Sequence, residues 1–499
     1  MTAMTLPSAL YSVAQVRAFD ARAIATQGVT GYELMERAGA AALRVLRAAW
    51  PSAQRVAVAC GGGNNGGDGY VLARLLKAAG LEVQVHAVVD PSALRGDARR
   101  ACDDYLSAGG TLEPVLHPDP ARCDVIVDAL LGTGFRSPLR EPFAGVCAVI
   151  NGSGRPVLAL DIPSGVEGDT GQASAGAVRA TRTLCFVALK QGLCLEQGPE
   201  FSGELLLDDL GVRVGSEGED LPRWHCLDDG DVRAALPRRA RDSHKGLFGH
   251  VLVVGGNAGM PGAARLAGEA CLRVGAGLVT VATHPAHAAN LALSRPELMC
   301  AGVADAAALR PWLERCTVIA IGPGLGQDDW ARALLAEVLA VGKPSVIDAD
   351  ALNLLAAQGL RHLHAPSVLT PHPGEAARLL GVDARTVQSD RRGAQQQLCE
   401  RSGAVVVLKG HGTLVGKAGA IPALCRAGNP GMASAGMGDV LTGAIAGVLA
   451  QCRDPWLAAC AGVLIHARAG DTLAQRYGAR GLLAGDVAMG LTAEANRGE

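Results

Sequence analysis

Short apolar runs rich in β-branched residues alternate with segments of helical periodicity along the first half of the chain. Such alternation predicts buried strands joined by helices, as in parallel βαβ units. A helix is predicted over Tyr70–Ala79. The predicted strands are Arg55–Cys60, Leu81–Val89, Asp124–Leu130 and Pro156–Asp161. The first half is therefore expected to form an α/β domain around a parallel sheet.

The same alternation begins again in the second half of the chain. Helices are predicted over Ala263–Val274 and from Gly438 through Leu449, and the second of these is predicted to be the last helix. The predicted strands are His250–Val254, Leu278–Ala282, Val318–Ile321, Ser345–Ile347, Ser367–Leu369 and Val405–Leu408. Because folds of this class bind ligands at the carboxyl ends of their strands, each half is expected to present a site of its own there.

A break without sustained periodicity separates the two halves. Residues Gly211–Arg241 are rich in Gly, Asp, Glu, Pro and Arg, and the cluster GSEGEDLP at Gly215–Pro222 marks the predicted boundary. A chain of 499 residues is long enough for two to four domains of roughly 150 residues each. The predicted domains are residues 1–220 and 225–499.

Composition and charge narrow the class of protein. Apolar residues make up 49% of the chain, which is enough for large cores and excludes a disordered chain, and the net charge of -2 argues against a polybasic nucleic-acid surface. The 14 cysteines show no CxxC spacing, so a reducing compartment is expected rather than a disulfide framework or zinc module. The N-terminus lacks an apolar leader, and Val440–Ala450 is too short to span a bilayer. We expect a soluble cytoplasmic homo-oligomer that binds small molecules, not nucleic acid or membrane.

The loop GGGNNGGDG at Gly61–Gly69 directly follows a predicted strand. Glycine loops of this kind let backbone amides approach a phosphate, although Asn64 and Asn65 interrupt the GxGxxG dinucleotide pattern. A tight structural turn is the alternative interpretation. The two asparagines and Asp68 favour a ligand site, because they offer polar side chains at the same rim.

Two further polar segments follow predicted strands, LGTGFRSP at Leu131–Pro138 and DIPSG at Asp161–Gly165. Together with the glycine loop they bring carboxylates, hydroxyls and amides to one crevice. Asp161 is the best acid–base candidate, since a carboxylate at a strand end in a closed crevice can be tuned toward proton transfer. The alternative is that Asp161 caps the turn that follows.

The segment NPGMASAGMGDVLTGAIAGVLA at Asn429–Ala450 carries the strongest chemical signal. Gly436, Met437 and Gly438 open a predicted helix whose first amides can bind a phosphate, and the helix dipole favours its charge. Asp439 can take a proton from a hydroxyl that attacks a phosphoryl group. The alternative is that Asp439 is only a favourable residue for a helix N-terminus.

Other strand ends contribute polar loops to the second half. KGHGT at Lys409–Thr413 offers a lysine and loop amides to a nucleotide, and GPGLG and TPHPGE end two other strands. His372 lies between two prolines in a rigid loop, which favours a ligand pocket over the face of a core helix. The sequence therefore predicts that the second domain handles a nucleotide through phosphate chemistry.

The first-half motifs GGGNNGGDG, GTGFRSP and DIPSG resemble the epimerase domain of NAD(P)H-hydrate repair enzymes over most of residues 1–215. The resemblance implies a Rossmann-like three-layer domain that interconverts the R and S forms of NADH or NADPH hydrated at carbon 6 of the nicotinamide. It implies a potassium ion held by Asn65, Asp128 and Ser164. It also implies that Asp161 is catalytic and that the hydrated nucleotide contacts Asn64, Asn65, Gly66, Gly67, Asp68, Gly132, Thr133, Gly134, Phe135, Arg136, Ser137, Pro138 and Asp161.

The second half, from about Asp228 onward, resembles the dehydratase of the same family through GNAGMPGAA, GPGLG, DADALN, TPHPGE, KGHGT and GMGD. The resemblance implies a ribokinase-like α/β fold, catalysis by Asp439, a magnesium ion, and dehydration of the S-hydrate to NAD(P)H with release of AMP and phosphate. ADP is favoured over ATP because the fused order resembles the bacterial-type bifunctional members. The implied substrate contacts are Ala263, Gly326, His372 and Asp439. The implied nucleotide contacts are Lys409, Gly410, His411, Gly412, Thr413 and Gly438.

Two other functions stay open on the residues alone. Small-molecule kinases share the ribokinase-like fold, so the second domain can be a vitamin or sugar-alcohol kinase that carries a nucleotide-binding first module. Alternatively, the first domain can be a non-enzymatic nucleotide sensor or protein-binding module. The fused first half argues against the kinase, and the presence of Asn65, Asp128 and Asp161 argues for epimerase catalysis.

Overall fold

The computed structural model describes residues 6–113, 123–215 and 217–497. The chain divides into two compact units, Met1–Trp224 and His225–Glu499, and each contains a large, mostly parallel sheet with helices. Residues 1–5 of the N-terminal stretch and Ser216 of the predicted boundary lie outside the described residues. In the described part of the chain, no helix is long and apolar enough to cross a membrane.

Capping residues fix where the first helices of the first unit begin. The side chains of Ser12 and Thr30 accept hydrogen bonds from the backbone N–H groups of Gln15 and Glu33. The side chains of Gln15 and Glu33 in turn accept from the backbone N–H groups of Ser12 and Thr30, which completes two capping boxes. The α-helices of this unit are α1 (Val13–Thr26), α2 (Gly31–Ala49), α3 (Asn64–Ala78), α4 (Gly96–Ser107), α5 (Phe143–Gly152) and α6 (Gly198–Ser202). The strands are β1 (Ala9–Leu10), β2 (Arg55–Cys60), β3 (Glu82–Ala87), β4 (Leu112–Glu113), β5 (Val125–Ala129), β6 (Val157–Leu160), β7 (Arg182–Phe186) and β8 (Glu204–Asp208).

Seven strands of the first unit form one parallel sheet in the order β4-β3-β2-β5-β6-β7-β8. Val58 of β2 lies between Val85 of β3 and Val127 of β5, and all three side chains are buried. Burial on both faces explains the unbroken apolar runs of these strands. The connection after β2 leads to β3 on one side of it, and β5 lies on the other side. Connections that leave in opposite directions open a crevice at the carboxyl ends of β2 and β5.

The glycine loop after β2 differs from the prediction. The helix predicted over Tyr70–Ala79 begins earlier, at Asn64, and takes in much of the predicted loop. Small residues allow this close packing, since a Cβ on Gly66 would lie 2.0 Å from the carbonyl oxygen of Gly61. Glycine disfavours isolated helices, and tertiary packing overrides that preference here.

The second unit follows the predicted alternation. Its strands are β9 (Trp224–Cys226, which begins in the last residue of the first unit), β10 (His250–Val254), β11 (Leu278–Thr283), β12 (Met299–Gly302), β13 (Val318–Ile321), β14 (Ser345–Ile347), β15 (Ser367–Leu369), β16 (Val405–Leu408), β17 (Thr413–Gly416) and β18 (Ala423–Cys425). The helices are α7 (Asp229–Ala235), α8 (Pro261–Arg273), α9 (Ala288–Ser294), α10 (Ala306–Arg315), α11 (Asp329–Val341), α12 (Ala349–Gln358), α13 (Pro373–Leu380), α14 (Ala384–Ser389), α15 (Arg391–Ser402), α16 (Met437–Cys452), α17 (Pro455–Tyr477) and α18 (Ala484–Ala495).

The strands of the second unit lie in the order β9-β18-β17-β16-β15-β14-β13-β10-β11-β12. Strand β17 is antiparallel to both of its neighbours, and the other pairs are parallel. The predicted bounds of β10, β13, β14, β15 and β16 are confirmed. Strand β10 lies between β11 and β13, which again creates a switch point at the carboxyl ends.

The prediction that the chain's last helix ends at Leu449 is wrong. Helix α16 continues to Cys452, Arg453 then adopts a left-handed conformation, and two further helices follow. Asp454 starts α17 by accepting the N–H groups of Trp456 and Leu457. Much of α17 is buried, so its sequence lacks the amphipathic stripe that reveals surface helices.

The break between the halves is also more ordered than its composition predicts. It contains β9 and α7, and α7 is capped by Asp228. Residues of the predicted boundary are bound to the first unit, because Gln15 Nε2 donates to the carbonyls of Glu219 and Leu221. Asp220 also pairs with Arg22.

The cysteines of the chain are free thiols. All except Cys300 and Cys452 are buried. Burial raises the pKa of the Cys60 and Cys460 thiols well above the usual value. The buried cysteines therefore act as small apolar side chains in the cores.

Helix α16 packs directly against α8 through two glycines one turn apart. A Cβ on Gly443 would lie 2.1 Å from the carbonyl oxygen of Ala267, and one on Gly447 would lie 2.7 Å from that of Cys271. Both helices begin at the carboxyl edge of the sheet and are buried along this contact. The glycines therefore set how closely the two helices approach each other.

We predict that Gly443→Ala destabilises the second unit by about 1–3 kcal/mol, because the added methyl group meets backbone that cannot rotate away. Thermal unfolding should show this as a lower Tm. Gly485→Ala on α18 is the matched control, since a Cβ there meets nothing within 4 Å. Equal Tm values for the two variants would contradict the packing constraint.

Candidate active sites

A cavity of about 1010 Å³ opens in the first unit at the carboxyl ends of β2 and β5. We call it the first-unit crevice. Its walls come from the start of α3, the loop after β5, the end of β6 and helix α1. The predicted site residues that line it are Asn64, Asn65, Asp68, Gly132, Thr133, Gly134, Phe135, Arg136, Pro138 and Asp161.

Three other predicted residues lie nearby without lining this crevice. Gly66 and Gly67 are buried on the packed side of α3, and a Cβ on Gly67 would lie 2.5 Å from the Met35 side chain. The Ser137 hydroxyl lies 3.0 Å from the hydroxyl of Ser174. Gly66 and Gly67 thus belong to the packed part of α3, and Ser137 belongs to the loop after β5.

Asp161 follows β6 in a left-handed conformation with φ of 64°, which is uncommon for a residue other than glycine. Its carboxylate accepts a hydrogen bond from Lys190 Nζ, and the two side chains form a salt bridge. Lys190 is only 1% exposed and also donates to the Phe186 carbonyl at 2.7 Å. Although burial opposes the charge, the Asp161 carboxylate raises the pKa of Lys190 above its usual value.

Sequence reasoning missed Lys190 and Asp20, which both line the first-unit crevice. The pKa of Asp20 is raised to about 6, mainly by burial. The Lys190 ammonium opposes this shift, and the Asp161 carboxylate adds to it. Burial also raises the pKa of Asp68 well above its usual value, and Asp161 adds to that shift. The signal available for Lys190 was a lysine directly after the apolar run Leu184–Leu189. Asp20 had none beyond its place on an amphipathic helix.

The residues implied for potassium converge beside the crevice. Asp128 is completely buried and accepts from the backbone N–H of Ser164 at 2.8 Å and from its hydroxyl at 2.6 Å. The Asn65 side-chain oxygen is buried without a hydrogen-bond partner in the described structure. A buried carboxylate, a hydroxyl and an orphaned amide oxygen are ligands that suit a hard cation. The donor set therefore fits a potassium ion.

A buried carboxylate also organises the second unit. Asp348 follows β14, is 1% exposed, and accepts from Lys409 Nζ at 2.8 Å and from the Thr442 hydroxyl at 2.7 Å. Lys409 Nζ lies 3.9 Å from Glu375. Although burial opposes the charge, Asp348 and Glu375 raise the pKa of Lys409. The ends of β14 and β16 are thereby tied to helix α16.

Asp439 stands in the first turn of α16, as predicted from the sequence. Gly436 forms the N-cap with φ of 87°, which favours glycine. A side chain on Gly438 would lie 3.4 Å from Lys409 Nζ, so this glycine keeps the lysine accessible from the helix N-terminus. Burial raises the pKa of Asp439 to about 6, Asp348 adds to the shift and Lys409 opposes it. We call Asp348, Glu375, Lys409, Gly438 and Asp439 the second-unit site.

His372 lies at the N-cap of α13, outside any helix face. Its ring nitrogen Nδ1 accepts the backbone N–H of Gly374 at 3.0 Å, and its side chain is 51% exposed. Burial lowers its pKa, and Lys409 lowers it further. A neutral, half-exposed ring beside Lys409 can contact a ligand.

The remaining predicted residues lie on neighbouring loops. Gly326 donates its N–H to Asp350 at 2.8 Å. Ala263 lies against Gly324, because a Cβ built on Gly324 would be 3.1 Å from the Cβ of Ala263. The Lys409–Thr413 loop is braced by Arg391, which donates to the His411 carbonyl at 2.6 Å. Gly410, His411 and Gly412 thus lie in the turn between β16 and β17, and Thr413 is the first residue of β17.

The structure adds residues to the second unit that sequence reasoning did not assign. Asp348, Asp350 and Glu375 lie inside motifs that were recognised, but their partners come from distant parts of the chain. Among residues 6–113, 123–215 and 217–497, no group of three or more His, Cys, Asp or Glu side chains is arranged to hold a metal.

Comparison with known proteins covers both units. A family model described as NAD(P)H-hydrate dehydratase matches residues 251–492, and one described as YjeF-related protein N-terminus matches residues 31–192. The bifunctional NAD(P)H-hydrate repair enzyme of Coxiella burnetii is 47% identical over 483 residues, which cover 96% of this chain and 97% of the relative. The enzyme of that name from Escherichia coli K12 is 43% identical over 97% of this chain and 93% of the relative.

Solved structures resemble the second half of the chain. A ribokinase-like superfamily protein from Enterococcus faecalis V583 aligns with a TM-score of 0.51 and 33% identity. The alignment covers 55% of this chain and 95% of that protein. The second unit therefore has the ribokinase-like fold that its motifs predict.

We predict that Lys409→Met destabilises the second unit by about 3–5 kcal/mol, because Asp348 then stays buried without its cation. Adding Asp348→Asn should recover much of the loss, since the amide carries no charge to compensate. Thermal unfolding of the two single variants and the double variant tests this coupling. Losses that simply add would show that the pair does not hold the site together.

Proposed function

The chain belongs to the family of bifunctional NAD(P)H-hydrate repair enzymes, and from that premise we propose how its two units divide the repair between them. The enzyme has an epimerase domain and a dehydratase domain. We assign epimerisation of the R- and S-hydrates to the first unit and ADP-dependent dehydration of the S-hydrate to the second. The observation that carries this assignment is Asp439 in the first turn of α16, next to Lys409.

In the first unit, the hydrated nicotinamide would lie in the first-unit crevice near Asp161. The residues from Asn64 to Asp68 and from Gly132 to Pro138 would hold the nucleotide, and those that line the crevice would touch it directly. The Lys190 ammonium fixes the position of the Asp161 carboxylate. A carboxylate fixed in this way can take a proton from, or stabilise positive charge on, a reacting ring.

In the second unit, the chemistry follows from the poor leaving ability of hydroxide. Phosphorylation of the carbon-6 hydroxyl by ADP leaves AMP and makes phosphate the leaving group, which the enamine electrons of the ring can expel. Asp439 would take the hydroxyl proton as the phosphoryl group arrives. The amides from Gly436 to Gly438, at the positive end of α16, would stabilise the transferring group.

The nucleotide would be held by the Lys409–Thr413 turn and by Gly438. Lys409 can reach its phosphates because Gly438 leaves the space between them open. Ala263, Gly326, His372 and Asp439 would contact the hydrated substrate. Magnesium would enter with the nucleotide, because Mg²⁺ commonly binds through substrate phosphates and only one or two carboxylates.

A potassium ion would be held by Asn65, Asp128 and Ser164 in the first unit. The orphaned Asn65 oxygen and the buried Asp128 carboxylate support this assignment. When bound, the ion supplies positive charge at the end of β5, close to the loops that hold the substrate. The residues themselves connect α3, β5 and the turn after β6.

One incubation tests the whole assignment. Mixed R- and S-NADH hydrate is supplied with or without ADP and Mg²⁺, in potassium or sodium buffer, while both epimers, NADH, AMP and phosphate are measured. The repair enzyme equilibrates the epimers without ADP and forms NADH with free phosphate when ADP is present. Accumulation of a phosphorylated product would instead identify a kinase, and binding without equilibration would identify a sensor. Sedimentation velocity on the same sample tests the proposed homo-oligomer.

We predict that Asp161→Asn slows epimerisation by about 100-fold or more, at the lower end of what positioned acid–base groups contribute. ADP-dependent dehydration of pure S-hydrate should not change, because its residues lie in the second unit. Both rates are measured on the same full-length chain. A normal epimerisation rate would return Asp161 to the role of a turn residue.

We predict that Asp439→Asn lowers dehydration turnover by about 100- to 10,000-fold, the scale of general base catalysis. Asparagine caps a helix about as well as aspartate, so Tm and ADP affinity should stay near those of the wild type. The pH profile adds a second readout, since a base with a pKa of about 6 loses roughly tenfold in rate per pH unit below that value. Near-normal turnover in the variant would show that Asp439 is only a cap.

A further inference from the structure

Helix α1 brings a carboxylate into the first-unit crevice from a part of the chain outside the recognised motifs. Val16, Phe19 and Ala23 are buried in the core, which fixes the rotation of the helix. Arg17 and Asp20 consequently line the crevice. Asp20 is held there by the packing of the whole helix, not by a mobile loop.

The surroundings of Asp20 differ from those of the other crevice carboxylates. Asp161 is already bound to Lys190, whereas no hydrogen bond from the described residues reaches the Asp20 carboxylate. The charged groups that act on Asp20 are Lys190, which follows β7 in the chain, and Asp161, which follows β6. Asp20 therefore offers an unoccupied carboxyl group within the field of the Asp161–Lys190 pair.

Asp68 is a less suitable partner for proton exchange. Burial, Asp161 and Asp20 together raise its pKa well above the usual value, which disfavours its ionised form. The pKa of Asp20 is about 6, which allows it to give and to take a proton near neutral pH. Different environments on neighbouring carboxylates are how active sites separate acid and base roles.

We propose that Asp20 is a second catalytic residue of the epimerase, which exchanges a proton with the carbon-6 oxygen of the substrate while Asp161 serves the opposite face. The proposal rests on the assignment of epimerisation to the first-unit crevice. Inversion at carbon 6 by loss and return of the oxygen needs a proton donor where the oxygen leaves and an acceptor where it returns. One carboxylate fixed by Lys190 and one free carboxyl group supply these two functions.

The step balances without another reactant. Asp20 gives its proton to the carbon-6 hydroxyl, the carbon–oxygen bond breaks with its electron pair, and water leaves as the nitrogen lone pair forms a carbon–nitrogen double bond. Water then adds to the opposite face of carbon 6 and gives a proton to Asp161. The reverse direction exchanges the two roles, and solvent restores the starting protonation state.

The test compares Asp20→Asn with Asp161→Asn in the full-length chain, with Asp103→Asn as the matched control. Asp103 is an exposed carboxylate on α4 that pairs with Arg99 and does not line the crevice. We expect Asp20→Asn to slow epimerisation by about 100-fold or more and Asp103→Asn to change it less than about threefold. Dehydration of pure S-hydrate by the same samples reports that each variant is folded and active in its second unit.

Two further measurements separate catalysis from a structural role. Sodium formate should restore part of the epimerisation rate to Asp20→Ala, because it replaces the missing carboxyl group, and should not accelerate Asp103→Ala. In ¹⁸O-labelled water, each epimerisation should place label on carbon 6, and retention of unlabelled oxygen would overturn the proposed step. Normal epimerisation in Asp20→Asn with an inactive Asp161→Asn would overturn the role of Asp20 alone. Normal rates in both variants would instead reject the crevice as the epimerase site.

Discussion

A carboxylate buried at the end of a central parallel strand is the constraint on which each unit depends. Asp128 in β5 and Asp348 after β14 are almost completely inaccessible to solvent. An unpaired charge in such a place costs several kcal/mol, so the fold must bring donors to it. Ser164 supplies them to Asp128, and Lys409 and Thr442 supply them to Asp348. The loops that carry the chemistry are thereby held in position.

The two units use a lysine that pairs with an aspartate in different ways. Lys190 pairs with Asp161, the proposed catalytic carboxylate of the epimerase, and so fixes that group directly. Lys409 pairs with Asp348, which lies below the helix that carries Asp439. Asp439 is therefore left outside this ion pair, as its proposed role toward a hydroxyl requires. Proton exchange with a substrate hydroxyl calls on carboxyl groups, whereas phosphoryl transfer also calls on a cation.

Local patterns predicted much of the fold, and long-range partners account for most of what was missed. The apolar runs of β10, β13 and β16 were predicted with their observed bounds, because such runs are bounded by glycine and polar turns. The GMGD helix start was also recognised from its glycines. Lys190 and Asp20 were not, since each acts on residues far away in sequence. The early start of α3 was missed because it depends on tertiary packing around glycine.

The burial of the thiols has a practical consequence for this chain. A cysteine reacts with alkylating reagents and peroxides as its thiolate, and burial suppresses both the thiolate and the access of the reagent. In the folded chain, only Cys300 and Cys452 are partly accessible. The other cysteines lie in the cores of both units, so their alkylation would report the opening of those cores residue by residue. The chain thus carries its own internal set of unfolding probes, distributed from Cys60 to Cys460, without any engineered label.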